Sequence, residues 1–273
     1  MDNYALWNLA RNANKTYFRN RSAGILLDLG RDGTFIGSAT CIAIGDRLFL
    51  ATAAHNFEGA ATADRFTVFS AHRPSTSPLA IIQYNYEHGL QDGEHDIAWL
   101  EIDSESARNS DLLGVALESI DVVPALVNPG NYVATGFPSE LKKATETNTG
   151  QVDFVVPLLA YITNAITGDS SRVGDIVFNY GQTAINQMGQ ENEMAKPHGM
   201  SGGGMWYSSP VTQDTVIWSP ERMKLIGITR DYVRNRDELR GVPIRHWFQL
   251  LYNDLPDIRA SIEPLLEHEN DVS

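Results

Sequence analysis

The chain reads as an all-β protein, a barrel or a sandwich, laid out in two strand-rich halves with helical patterns confined to its ends. Three observations predict this class. Short apolar or alternating runs, rich in β-branched and aromatic residues, recur between Gly, Asp, Asn, Ser and Pro. A polar join near 103–121 separates two sets of such runs, and strands do not alternate with helices. Helical spacing of apolar residues dominates only near the C-terminus.

Taken in order, residues near 5–19 ("ALWNLARNANKTYFRN") predict a short amphipathic helix inside an N-terminal extension, 1–20. The first strand-rich domain, 21–118, holds "AGILLDLG", "GTFIGSATCIAIG", "RLFLATAAH", "RFTVFSA", "LAIIQYNYE" and "DIAWLEID". The second, 119–245, resumes the texture with "NYVATGFP", "VDFVVPLLAYI", "GDIVFNYG", "GGGMWYS", "DTVIWS" and "KLIGITRDY". A C-terminal helix and tail, 246–273, follow in "RHWFQLLYNDLPDIRASIEPLLE", where Pro256 and Pro264 interrupt the helix or start new turns. This terminal helix is expected to pack against the second half. No internal repeat and no low-complexity tract is visible.

Composition narrows the functional classes. The 273 residues are 42% hydrophobic and 20% charged, a globular rather than disordered profile. A formal net charge of −13 argues against a broad phosphate-binding surface, so nucleic acid is not an expected partner. No run approaches the roughly 20 apolar residues of a membrane-spanning helix, and the N-terminus lacks the apolar core of a secretory signal; no membrane partner is expected. With one cysteine, Cys41, no intrachain disulfide can form, which fits a reducing compartment and predicts a cytoplasmic protein. Cys41 itself reads as core packing.

The segment "PHGMSGGGMW" at 197–206 carries four glycines around Ser201. Residues 199–203 satisfy Gly-x-Ser-x-Gly, but the nucleophile elbow of that pattern needs a hydrophobic strand before the serine and a helix after it. Here the preceding "GQENEMAKP" is polar and the following "GGGMWYSSP" is extended, so the elbow fails its context. A different order is present upstream. "RLFLATAAHNF" ends a strand-like run with His55 after small residues, and "GEHDIAWLEI" opens another with Asp96 beside the apolar Ile97, Ala98, Trp99 and Leu100. Histidine, acid and serine then follow one another on the loops of strand-rich halves.

On "TAAH" at 52–55, "HDIAWLEI" at 95–102, "GMSGG" at 199–203 and "LIGITRDY" at 225–232, the chain resembles the trypsin-like (chymotrypsin-fold) serine proteases over roughly residues 22–248. The resemblance implies two antiparallel six-stranded Greek-key β-barrels with the site in the cleft between them. It implies a serine endopeptidase in which Ser201 is the nucleophile, His55 the general base and Asp96 the group that orients His55, with the amides of Gly199 and Ser201 as oxyanion donors. Asp92 is the alternative acid. A peptide or protein substrate is the implied partner, and an intracellular protease needs restraint, so a regulatory protein partner is a further expectation.

Two departures from the family pattern matter. Members activated by N-terminal cleavage carry Asp just before the serine, where this chain has Met200, so no activation of that type is expected. Where trypsin selects basic side chains with an Asp six residues before the nucleophile, this chain has Ala195. Lys196, His198 and Arg230 are candidates for favouring an acidic or polar side chain instead, and Thr229 is a candidate wall residue. A peptide-binding protein without catalysis, or an esterase on the same triad, are the competing functions. His88, Asp92, Glu94 and His95 are metal-ligand residue types without the i, i+4 spacing of HExxH, and read as a solvated acidic loop; no metal and no cofactor is expected.

Overall fold

A computed structural model describes residues 15–28, 34–57, 66–72, 78–85, 95–124, 126, 131–146, 152–163, 165–166, 174–185, 191–208 and 220–267. Of the predicted N-terminal helix, residues 15–19 are helical (α1), and the rest lies outside the described residues. The first half supplies β1 (Ser22–Asp28), β2 (Thr34–Ile44), β3 (Arg47–Thr52), β4 (Phe66–Ser70), β5 (Ile81–Asn85) and β6 (Ala98–Ile102), followed by the short helix α2 (Ser104–Asn109). The second supplies β7 (Asn131–Gly136), β8 (Lys143–Glu146), β9 (Val152–Val155), β10 (Leu159–Thr163), β11 (Ile176–Asn179), β12 (Thr183–Ile185), β13 (Glu191–Glu193), β14 (Gly204–Ser208), β15 (Met223–Val233) and β16 (Glu238–Pro243). Helices α3 (Ile244–Asp254) and α4 (Arg259–Glu267) close the described chain.

These strands form two six-stranded antiparallel sheets, curled as half-barrels, in the orders β4-β1-β2-β3-β6-β5 and β10-β7-β14-β15-β16-β11. Hairpins β8-β9 and β12-β13 stand apart from them. This is the two-barrel, chymotrypsin-like arrangement that the sequence predicts. Each of the six runs of the first half becomes one strand. The run "VDFVVPLLAYI" does not stay whole: it divides at Pro157 into β9 and β10, because proline has no N–H for a ladder.

Strand alternation explains where the core lies. In β3, Leu48 and Leu50 face the interior of the first half, while Phe49 and Ala51 face the second half. β14 does the same from the other side, with Met205 inside its own half and Trp206 turned to the joint. Strands buried on both faces carry continuous apolar runs, as residues 48–51 of β3 and 205–206 of β14 do. The joint core is completed from the chain ends by Phe18, Trp247, Phe248 and Leu251, all buried.

The C-terminal helices pack against β15 and β16 of the second half, as expected, and also reach the first: the Trp247 indole N–H donates to the Ala98 carbonyl at 3.0 Å, and Trp99 and Asn85 both donate to the Asp254 carboxylate, at 2.7 and 2.8 Å. The sequence showed an apolar helical face but not its partner, because Trp99 lies more than a hundred residues away.

Candidate active site

The first half brings His55 and Asp96 together. β3 ends at Thr52, and the small, fully buried Ala53 and Ala54 let the chain turn inward into a single 3-10 turn, Ala54–Phe57, that carries His55. Asp96 stands two residues before β6, flanked by buried Ile97 and Ala98. Its carboxylate clasps residue 55 twice. The His55 backbone N–H donates to Oδ1 at 2.9 Å, and the ring Nδ1 lies 2.5 Å from Oδ2. A ring N–H at Nδ1 satisfies that contact and leaves Nε2 as the basic nitrogen. Burial pushes the Asp96 carboxyl up, but the hydrogen bonds from His55 and the charges of His55 and Arg230 outweigh it and hold it below its ordinary range. Asp92 lies outside the described residues.

The second half supplies Ser201 on a tight turn between Pro197 and β14. Met200 N–H donates to the Pro197 carbonyl at 2.9 Å and Gly203 N–H to the Met200 carbonyl at 2.8 Å. Gly199 and Gly202 take φ of 93° and 90°, a region L side chains avoid. At Gly202 the reason is also spatial, since a Cβ would sit 1.8 Å from the Ser38 carbonyl oxygen.

The turn is held by the other half of the molecule. Ser38 N–H and the Asn56 side-chain amide both donate to the Ser201 carbonyl, at 2.8 and 2.9 Å, and the Ser38 hydroxyl donates to the Gly199 carbonyl at 2.6 Å. Ser38 and Asn56 are the neighbours of the candidate site that sequence reasoning missed. Asn56 stood beside His55 and was open to notice, whereas Ser38 looks like any polar residue of a strand.

These bonds also orient the peptides. Ser139 N–H donates to the His198 carbonyl at 2.7 Å, so in that planar trans peptide the Gly199 N–H points the opposite way. The Met200 carbonyl is likewise bonded to Gly203, which turns the Ser201 N–H outward. Neither the Gly199 nor the Ser201 N–H has an acceptor among the described residues. Met200 is fully buried in one apolar cluster with Tyr132, Phe178 and Met205, so apolar contact anchors the turn.

A cleft of about 880 Å³ is lined by His55, Gly199 and Ser201 together with Ala195, Lys196, His198, Arg230 and residues of the β12-β13 hairpin. Lys196 and His198 are exposed at its edge. Arg230 is not a free cation: its guanidinium bonds Asp175 at 2.7 and 3.2 Å and Asp231 at 3.1 Å. Thr229 is buried, with its backbone bonded to Gly202 and Gly203, and does not line the cleft. The Ser201 hydroxyl donates to the Arg230 carbonyl at 2.8 Å. Of the candidate metal-type cluster, His95 stacks on His246 with ring centroids 4.2 Å apart, and the other three residues lie outside the described residues.

No protein-family model matches the chain, and no curated protein matches it. Among solved structures it is similar to AL20, a thermostable serine protease from an extremophilic microorganism, with 16% identity and a TM-score of 0.48 over 83% of this chain and 92% of that one. Among the described residues, no helix is long and apolar enough to cross a membrane.

Proposed function

We propose that the protein is a serine endopeptidase that cleaves peptide bonds through an acyl-enzyme, with Ser201 as nucleophile, His55 as base and Asp96 as its orienting acid. The observation that carries this reading is the double clasp of Asp96 on residue 55, with Ser201 across the same cleft on a turn whose amides lack acceptors among the described residues. A serine hydroxyl is a weak nucleophile until a base takes its proton. His55 Nε2 is that base, and it returns the proton to the leaving amine. Asp96, accepting at Nδ1, keeps the tautomer correct and offsets the charge of the imidazolium that forms. The outward N–H groups of Gly199 and Ser201 receive the negative oxygen of the tetrahedral intermediate.

Because Met200 is packed into the core, the turn needs no freed N-terminal amine, and activity does not depend on N-terminal clipping. With the Arg230 guanidinium committed to carboxylates, side-chain selection falls to Ala195, Lys196 and His198.

The test is turnover of a mixed peptide library beside a small activated ester. Peptide cleavage by the wild type that is lost in Ser201→Ala, and reduced about 10⁴-fold in Asp96→Asn, is the expected outcome. Ester hydrolysis without peptide cleavage would make it an esterase. A folded wild type that binds peptide but turns over neither substrate would make it a binding protein.

A further inference from the structure

The carbonyl that accepts the Ser201 hydrogen bond belongs to a residue the sheet has released from its ladder. β15 pairs with β16 through Thr229↔Gly241 and resumes at Asp231↔Arg240, so Arg230 is the extra residue of a β-bulge. Bulges re-aim a strand locally and are common beside functional sites. Here the bulge turns the Arg230 carbonyl onto the Ser201 hydroxyl. The side chain of the same residue is almost fully buried and bonded through two nitrogens to Asp175, itself 9% exposed, with a further bond to Asp231. Asp175 immediately precedes β11, which pairs with β16, so the ion pair ties the bulge to the far strand of its own sheet. Straightening the bulge would strip a buried guanidinium of its partners, a change that buried ion pairs resist strongly.

Resting on the assignment of Ser201 as nucleophile, we infer that Arg230 is a positioning residue. Its bulged carbonyl, fixed by Asp175 and Asp231, holds the Ser201 hydroxyl in a resting rotamer from which it must be released before attack. A hydroxyl has one proton to donate. While that proton lies on the Arg230 carbonyl, His55 cannot take it. Release is a rotation about the Ser201 Cα–Cβ bond that breaks the hydrogen bond to Arg230 and makes one to His55 Nε2, with no covalent change. The hydrogen bond to Arg230 therefore holds the site below its full reactivity, and a ligand that competes for the Arg230 carbonyl raises it.

The experiment measures the rate at which a small fluorophosphonate, too short to lie along β15, labels the wild type, Asp175→Asn and Asp231→Asn. Loss of about one hydrogen bond's worth of restraint predicts labelling about 2- to 10-fold faster in Asp175→Asn. Asp231→Asn, which removes a half-exposed partner and leaves the Asp175 pair intact, should show a smaller rise and decides the matter if the first variant fails to fold. Damage to the site slows labelling, so acceleration is the discriminating readout. If the wild type labels and neither folded variant labels faster, the latch is wrong and the nucleophile stands. If none of the three labels, the assignment of Ser201 fails and the latch with it. A silent wild type beside a labelled Asp175→Asn would support both.

Discussion

The two half-barrels share one strand plan but not one task. Numbering the six strands of each sheet from one to six, the first runs 4-1-2-3-6-5 and the second 2-1-4-5-6-3, which is the same closed circle read in opposite senses and opened at different seams. The first opens between its fourth and fifth strands, the second between its second and third. In the second, a lone bridge between Ala165 and Phe178 partly closes the gap, and in the first Leu79 N–H reaches the Val68 carbonyl across it. Topology is thus duplicated without any repeat visible in the sequence. The proposed chemistry is not duplicated: the first half contributes His55 and Asp96, and the second contributes Ser201 on a turn that depends on the first for its hydrogen bonds.

That dependence is what the comparison teaches. The Ser201 turn depends on more than the second half, because Ser38 and Asn56 of the first half occupy its carbonyls and Gly202 presses against the Ser38 backbone. Substitutions on either side of the joint should therefore behave as one set. Gly202→Ala is the largest break: its Cβ meets a backbone oxygen and its φ disfavours any side chain, so we expect a loss of about 3–5 kcal/mol in unfolding free energy together with loss of fluorophosphonate labelling. Ser38→Ala removes the donor to the Gly199 carbonyl and the acceptor of the Phe137 N–H, and should cost about 1–3 kcal/mol by denaturant unfolding while slowing labelling although it lies in the other half. If Ser38→Ala destabilises without touching labelling, the joint is structural only.

The smallest effect is a pH dependence that belongs to the first half. The Asp96 carboxyl, held below its ordinary range in the fold, adds stability that is complete above its unfolded pKa of about 3.9 and is lost as pH falls through its lower folded value. The stability difference between wild type and Asp96→Asn should accordingly narrow as the pH is taken from 6 to below 3. A difference that widened on acidification would mean that the carboxyl is raised by its burial rather than lowered by His55.

How much of this was open to reading in the sequence follows from the range of each interaction. Strands announced themselves through alternation and turn residues, as in "RFTVFS", which became β4. Residue types in the order histidine, acid, serine pointed to a site, and the glycines of "GMSGG" to a turn in close quarters. The partners of that turn were hidden because Ser38 and Asn56 lie about 160 and 145 residues from the groups they hold, and such bonds leave no local period. Arg230 illustrates a different limit. From the sequence it is a cation near the site and a candidate for binding an acidic substrate, whereas the fold spends its charge on Asp175, which sits in the weakly patterned stretch before β11. The bulge that makes it useful is a property of register between β15 and β16, and register is set by pairing, not by either strand alone.

The most direct test of the account is whether one serine, activated from the other half of the molecule, is reactive. Labelling the folded wild type with a fluorophosphonate and mapping the adduct by mass spectrometry should place it on Ser201, with none in Ser201→Ala and little in His55→Ala. An adduct on another serine, or equal labelling in His55→Ala, would contradict the claim that the two halves together make the nucleophile.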